Sequence, residues 1–131
     1  MPDLAPLNED MIRARSTAQS FERGQKYYRQ GMLLSAIRRG NRLEGECQGS
    51  EYEPYRVVVT LDKKGVVDAS CTCPYDWGGD CKHIIALLLT WVREPEQFAE
   101  RKPFDEVLKA KSKEELIALV KLMLERDPSL E

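Results

Sequence analysis

Three of the four cysteines and the single histidine of this chain lie close together, in the pattern C-x-C-x7-C-x-H. They are Cys71, Cys73, Cys81 and His83. Three thiolates and one imidazole are a ligand set that suits tetrahedral Zn²⁺. Because four protein ligands leave no open position for water or substrate, such a site is structural. Pro74 and the pair Gly78-Gly79 let the spacer turn back, so the sequence predicts one structural zinc ion.

Other uses of the cysteines fit the sequence less well. A secreted, disulfide-linked domain would need cysteines placed to pair, whereas Cys71 and Cys73 are too close to pair comfortably. Thiol redox chemistry favours C-x-x-C beside a βαβ pattern, which is absent here. His83 alone would be interpreted as a polar residue at a helix start, but its spacing from Cys81 favours ligation. Cys47 lies in an alternating strand pattern and is predicted to be a buried free thiol.

The tight spacing within both ligand pairs resembles the SWIM zinc finger. Residues 21–31 resemble the F-x-R-G-x-x-Y-x-x-x-G helix that precedes the bacterial versions, and an apolar segment follows His83 as it does there. The resemblance covers about residues 17–92 and implies that Cys71, Cys73, Cys81 and His83 are the zinc ligands. It also implies a module that binds DNA or proteins, often serving an attached enzyme such as a Swi/Snf-type helicase-like ATPase.

No catalytic set is recognisable beside the cysteines. The sequence has no glycine-rich phosphate loop, nucleophile elbow or paired acid motif, so we predict a non-enzymatic chain with no small-molecule substrate. A zinc hydrolase is the least favoured alternative, because it requires an exchangeable coordination position. No apolar run approaches the roughly 20 residues of a membrane span, and no targeting segment is visible. We therefore expect a cytoplasmic protein that does not enter a membrane, in a reducing compartment.

The segments around the motif predict an α+β fold. Ser16 or Thr17 is a suitable N-cap for a helix over residues 18–30, which Gly31 ends. From residue 32 to 71 the apolar period is two, which predicts an antiparallel meander of three or four strands. The meander leads into the first pair of cysteines. Asp80 is the expected N-cap of a nearly all-apolar helix after His83, predicted to be buried against the sheet.

The sequence after residue 94 predicts a C-terminal helical pair. Residues 104–109 favour a short helix, and Ser112 with Glu115 forms a capping box for a longer one that ends near Arg126. We accordingly divide the chain into a loose N-terminal lead-in (1–16), a SWIM-type zinc-binding domain (17–92) and a helical extension (93–131). Whether a longer protein continues beyond Glu131 is left open.

Charge is distributed unevenly along the chain. The formal net charge is −2, yet residues 13–42 contain eight basic residues and one acidic residue. This imbalance permits an anionic partner, although a run of charge is usually only a solvated face. Candidate contacts to DNA phosphates, or to bases through the two aromatic residues, are Lys26, Arg29, Arg38, Arg39, Arg42, Tyr75, Trp77 and Lys82. Two alternatives stay open: Tyr75 and Trp77 shield the zinc, and the chain docks a protein without binding nucleic acid.

Overall fold

The computed structural model describes residues 7–49, 53–74 and 78–130. It divides into two compact units, Met1–Arg101 and Lys102–Glu131. The first unit contains two helices, a five-stranded sheet and a central helix, and the second unit contains two further helices. The fold class is therefore α+β, as the sequence predicts. The three-part division at residues 16 and 92 stays a prediction.

Two short helices precede the sheet. Helix α1 (Glu9–Ala14) is capped by the side chain of Asn8, and helix α2 (Ala18–Arg29) by Thr17, whose hydroxyl accepts a hydrogen bond from the Ser20 amide at 3.0 Å. Gly31 has φ +67, the left-handed conformation that ends a helix at low cost for glycine. Both ends of α2 therefore agree with the capping residues expected from the sequence.

The sheet has the strand order β4-β3-β2-β1-β5. Its strands are β1 (Leu33–Arg39), β2 (Arg42–Cys47), β3 (Tyr55–Asp62), β4 (Gly65–Cys71) and β5 (Ala99–Arg101). The first four pair in antiparallel order and form the predicted meander. Strand β5 pairs parallel to β1 and was not predicted. Three residues with two charges give no alternating signal, so only the pairing with β1, which includes an Arg38–Glu100 ion pair, reveals this strand.

Helix α3 (Lys82–Arg93) forms the core of the first unit. Every residue from His83 to Thr90 is buried, and the helix packs against the sheet face that carries Leu43, Val57 and Val59. The predicted burial is confirmed. The predicted N-cap is wrong: Cys81 occupies that position, and the Asp80 carboxylate instead pairs with Arg15. The guanidinium donates two charge-assisted hydrogen bonds to this buried carboxylate, and such two-bond pairs are strong.

Helices α2 and α3 approach each other closely at Gly24. A Cβ atom added at Gly24 would lie 2.4 Å from Cγ2 of Ile85 and 3.2 Å from the carbonyl oxygen of Lys82. Only a residue without a side chain therefore allows α2 to lie this close to the start of α3. This contact accounts for the glycine in the F-x-R-G pattern.

The second unit consists of helices α4 (Phe104–Lys109) and α5 (Lys113–Arg126). Both were predicted within one residue of their observed bounds. The capping box at the start of α5 is present: Ser112 accepts from the Glu115 amide at 3.1 Å, and Glu115 accepts from the Ser112 amide at 3.0 Å. Short 3-10 turns at Pro95–Gln97 and Pro128–Leu130 complete the secondary structure of the described residues.

In the part of the chain that the structure describes, the helices are too short or too polar to cross a lipid bilayer.

We predict that Gly24→Ala destabilises the first unit by about 1–3 kcal/mol, because the added methyl group overpacks the contact with Ile85. At an exposed helical position the same change would stabilise the protein by about 1 kcal/mol. The sign of the change in the free energy of unfolding therefore distinguishes a packing effect from helix propensity. Urea unfolding of the zinc-loaded protein measures the effect. The exposed α2 variant Gln19→Ala is the control. A Gly24→Ala protein as stable as the parent would contradict the close approach.

Candidate metal centre

The four predicted ligands converge at one point of the first unit. Cys71 ends β4 and Cys73 follows it, while Cys81 is the N-cap of α3 and His83 lies in its first turn. One ligand atom from each of the four lies within 4.8 Å of all the others. Cys81 and His83 are each 3% exposed, and the first two cysteines are half-buried. The cluster therefore joins the end of the sheet to the start of the buried helix.

The imidazole of His83 presents its Nδ1 atom to the sulfurs. Nδ1 lies 3.6 Å from Sγ of Cys71 and 3.7 Å from Sγ of Cys81. The ring packs edge-on against Tyr27, with the centroids 5.1 Å apart, and against Tyr55 at 4.8 Å. The other ring nitrogen, Nε2, is buried and has no hydrogen-bond partner within the described residues. The tyrosines thus fix the plane of the ring by packing, with Nδ1 facing the cluster.

These distances agree with the geometry that zinc requires. In tetrahedral Zn²⁺ sites with Zn–S bonds of about 2.3 Å and Zn–N bonds of about 2.0–2.1 Å, sulfur and nitrogen lie about 3.6 Å apart. The observed Sγ to Nδ1 separations of 3.6 and 3.7 Å agree with that expected distance. The cysteine and histidine cluster is placed to hold one zinc ion, and the complete protein ligand set gives the ion a structural role. Bound there, the ion would cross-link β4 to α3.

The thiols of the cluster differ in acidity. The hydrogen bond from Cys71 lowers the pKa of Cys81 to about 4, and a further hydrogen bond from His83 acts in the same direction. The same contact between the two sulfurs raises the pKa of Cys71, and burial raises it further. Cys81 is therefore the more acidic thiol of this pair. A metal ligand must be deprotonated, so the low pKa of Cys81 favours its role as a ligand.

A salt bridge from the N-terminal helices holds the loop before Cys81. The Arg15 guanidinium donates to both carboxylate oxygens of Asp80, at 2.8 and 3.2 Å, and the Asp80 amide donates to the Arg15 carbonyl at 2.9 Å. Gly79 has φ +70, and a Cβ atom there would lie 2.6 Å from the same carbonyl oxygen. The sequence alone did not indicate a role for Arg15, because this residue lies 65 positions from its partner Asp80.

Cys47 is close to the centre in space although it is distant in sequence. Its Sγ lies 3.9 Å from the carbonyl oxygen of His83, and the residue is fully buried. Burial, followed by the negative Cys81 nearby, raises the pKa of Cys47 to about 12. The thiol therefore stays protonated and packs in the core, as predicted for a buried free cysteine.

The predicted partner contacts on the helices lie at the surface near the centre. Lys26 and Arg29 are exposed on α2, and Arg29 donates to the Gln25 side chain at 3.4 Å. Lys82, at the start of α3, places its Nζ 4.7 Å from the ring centroid of Tyr27. Tyr27 in turn packs against His83, so Lys82 adjoins the metal centre, whereas Lys26 and Arg29 lie on the helix that carries Tyr27.

The predicted contacts on the strands are held in intramolecular ion pairs. Glu44 is nearly buried on the sheet face opposite α3 and is surrounded by three arginines. The distances to its carboxylate are 3.1 Å from Arg39, 3.3 Å from Arg42 and 3.4 Å from Arg56. Arg56 was not predicted, although it alternates with the buried residues of β3 and must face this side.

Arg38 points to the other face of the sheet. Its side chain is 9% exposed, lies 5.3 Å from the ring centroid of Trp91 and donates to the Gly40 carbonyl at 2.9 Å. Little of Arg38 is therefore available to an external partner. Tyr75 and Trp77 lie outside the described residues, so both predictions for the zinc loop stay predictions.

Comparison with known proteins finds similarity over the segment that contains the centre. Residues 55–91 match the family model of the SWIM zinc finger, and this match spans β3, β4, the ligand cluster and most of α3. The chain is 26% identical over 131 residues to the zinc finger SWIM domain-containing protein 8 homolog of Drosophila melanogaster. It is 32% identical over 111 residues to the uncharacterized protein MJ1493 of Methanocaldococcus jannaschii. Residues 55–91 of the chain thus match a SWIM-type zinc finger.

The chain spans less than half of the length of these relatives. The alignment covers 85% of this chain and 45% of the archaeal protein, and 94% of this chain and 6% of the Drosophila protein. The similarity is therefore to one part of each relative. No solved structure is significantly similar to the chain.

We predict that removing zinc with EDTA, or changing Cys81→Ser, abolishes the cooperative melting of the first unit. Structural zinc contributes apparent free energies of about 10–16 kcal/mol in finger peptides, whereas a domain is stable by only about 5–15 kcal/mol. Calorimetry with zinc analysis of the purified protein measures both quantities. Cys47→Ser, at the thiol outside the ligand cluster, should retain one zinc ion per chain. An unchanged melting curve in metal-free protein would contradict the assignment.

We also predict that Arg15→Met weakens zinc binding by about tenfold and lowers the free energy of unfolding by about 1–2 kcal/mol, because the Asp80 carboxylate loses its partner. Competition with a chromogenic chelator measures zinc affinity. Arg23→Met, at an exposed position of α2, is the matched control and should change neither quantity. Adding Asp80→Asn should recover part of the loss, since it removes the unpaired charge. Equal zinc affinity in Arg15→Met and the parent would argue against a positioning role for this salt bridge.

Proposed function

We propose that this SWIM-type zinc finger is the structural part of a module that binds DNA, and that helix α2 supplies the phosphate contacts. The observation that carries the proposal is a basic stripe on α2, formed by Arg23, Lys26 and Arg29, on the same helix as Tyr27, which contacts His83. These residues recur every three positions and all three are exposed. Residues three apart on a helix are neighbours on its surface, so the three charges form one continuous strip.

The strip extends toward the metal centre through Tyr27 and Lys82. The Lys82 ammonium lies over the Tyr27 ring, and Tyr27 packs against the candidate ligand His83. Zinc would hold this region rigid, because it fixes the start of α3, on which α2 packs. A fixed row of cations loses less conformational freedom on binding than flexible side chains on a mobile segment would.

The charge distribution suits a phosphate backbone better than a specific base sequence. Lysine and arginine contacts to phosphates supply sequence-independent affinity and release counterions, which makes binding fall with salt. On α2 only Glu22 opposes the basic residues. Affinity for DNA of any sequence is therefore the expected property, and any base preference would come from other residues, including Tyr75 and Trp77 on the zinc loop.

The alternative is a protein-docking module that does not bind nucleic acid. It is favoured by the state of the strand arginines: Arg39 and Arg42 pair with Glu44, and Arg38 is largely buried. Their charge is partly neutralised within the chain. A helicase-like ATPase is the protein partner that the SWIM resemblance suggests, and it could act together with DNA binding. Under either proposal the chain is non-enzymatic and works in the cytoplasm, where thiols stay reduced.

We predict that zinc-loaded protein binds short single- and double-stranded DNA with log affinity falling linearly with log salt. The double variant Lys26→Glu with Arg29→Glu should weaken binding by about tenfold or more and reduce the salt slope by about two, because two phosphate contacts are lost. Fluorescence anisotropy at several salt concentrations measures both.

The matched control is Lys63→Glu with Lys64→Glu, which makes the same charge change in the exposed turn between β3 and β4. It should bind almost as the parent does. If both double variants lose affinity equally, only net charge matters and α2 is not the contact surface. If the parent shows no salt-dependent binding to either form of DNA, the protein-docking alternative replaces the proposal.

A further inference from the structure

Helix α5 exposes more apolar surface than an isolated helix at a protein surface normally does. Seven of the nine residues from Leu116 to Leu124 are large and apolar. The most exposed of them are Ile117, Val120, Leu122 and Met123, at 46%, 51%, 55% and 49%. A helix that is apolar around most of its circumference is usually covered by another element. Leu119 and Leu122 lie on one side of α5, and Ile117 and Val120 lie on another, so a single partner helix covers only one part of this surface.

One strip of α5 has a pattern that is complementary to itself. Glu115, Leu119, Leu122 and Arg126 lie on one side of the helix, within about 60° at 100° per residue. The strip begins with an acidic residue, has two leucines at its centre and ends with a basic residue. Ala118 and Met123 flank it, and the small alanine permits a second helix to approach closely.

When a second copy of the strip runs in the opposite direction, its acidic end lies opposite the basic end of the first copy, and the leucines of the two copies meet at the centre. In an antiparallel pair centred between Val120 and Lys121, Glu115 of each helix lies opposite Arg126 of the other. Leu119 then lies opposite Leu122 in both directions. This is the condition for a two-fold symmetric interface, in which the same patch on both copies is complementary to itself. The macrodipoles of antiparallel helices also attract each other.

The acidic end of the strip is held in place before any partner binds. The capping box fixes the Glu115 carboxylate at the Ser112 amide, and this hydrogen bond lowers the pKa of Glu115. Within the described residues, Arg126 belongs to no ion pair. One end of the strip is thus a fixed carboxylate, and the other end is an exposed guanidinium that can reach the Glu115 carboxylate of a second copy.

We propose that two copies of this chain associate through α5 in an antiparallel, two-fold symmetric arrangement, with Leu119 and Leu122 at the centre and Glu115–Arg126 pairs at both ends. This inference is independent of the proposed DNA binding, because α5 belongs to the second unit and the basic strip to the first. A dimer would double the number of basic strips in one assembly and raise its avidity for a long DNA.

Sedimentation equilibrium of the full zinc-loaded chain, over a range of protein and salt concentrations, tests the proposal. The parent is expected to form a dimer, and Leu122→Glu to be monomeric at the same concentrations. Arg126→Glu alone and Glu115→Lys alone should each weaken the dimer by about tenfold, because each places like charges opposite each other at both ends. Circular dichroism of each variant checks that α5 still forms.

Mixing the two charge variants distinguishes this interface from a folding defect. In a mixed dimer, the introduced lysine faces the introduced glutamate at one end, and the native Glu115 faces Arg126 at the other. Equal mixing should therefore restore dimers to near the parental level, although neither variant dimerises well alone. Lys121→Glu, on the polar side of α5, is the control and should leave the dimer unchanged.

Three outcomes would overturn the proposal. The first is a parent chain that stays monomeric up to several hundred micromolar. The second is a dimer that survives Leu122→Glu, which would place the interface elsewhere. The third is a dimer that is lost in Leu122→Glu but indifferent to both charge changes and to their mixing, which would leave an apolar contact without the antiparallel arrangement. None of these outcomes bears on the salt-dependent DNA binding proposed above.

Discussion

The convergence of a strand end and a helix start on one tetrahedral cluster is the constraint on which the first unit depends. Four ligand atoms must come within a few ångströms, and they belong to two segments separated by a seven-residue spacer. Cys71 can reach the cluster only if the meander ends where it does, and His83 only if α3 begins at Lys82. The ligand geometry and the docking of α3 on the sheet therefore require each other, which is how metal binding becomes part of folding.

The close packing of α2 on α3 connects the metal centre to the surface of the first unit. Gly24 lets the two helices approach at Ile85, and Tyr27 on the next turn packs against the imidazole of His83. The exposed basic side chains of α2 lie on the solvent-facing part of the same helix. A rigid centre is in this way coupled to a charged surface through one helix and one aromatic contact. This coupling would make a structural zinc ion relevant to the proposed DNA binding although the ion itself would not contact the DNA.

Three buried or nearly buried charged groups, Asp80, Glu44 and Arg38, each have at least one partner from a distant part of the chain. Arg15 reaches Asp80 across the loop before Cys81, three arginines enclose Glu44 on the open face of the sheet, and Arg38 bonds to Gly40 and Glu100. A buried charge costs several kcal/mol without a partner, so these contacts restrict how the segments are arranged. They also use charges that a surface for DNA would otherwise offer, which is why the proposed contact surface is α2 and not the strands.

The sequence by itself determined the metal, the fold class and almost every element. The spacing of Cys71, Cys73, Cys81 and His83 is local information, and so are the period of two in the strands and the caps Thr17 and Ser112. Such signals act over a few residues, and the fold agrees with them. The tertiary structure decided what depends on contacts between distant residues. It made Cys81 the N-cap of α3, because Arg15 takes the Asp80 carboxylate, and it added β5, which pairs with β1 through the backbone and through the Arg38–Glu100 ion pair. It also determined which arginines form ion pairs within the chain. The sequence does not specify which opposite charge folding will bring beside a given arginine.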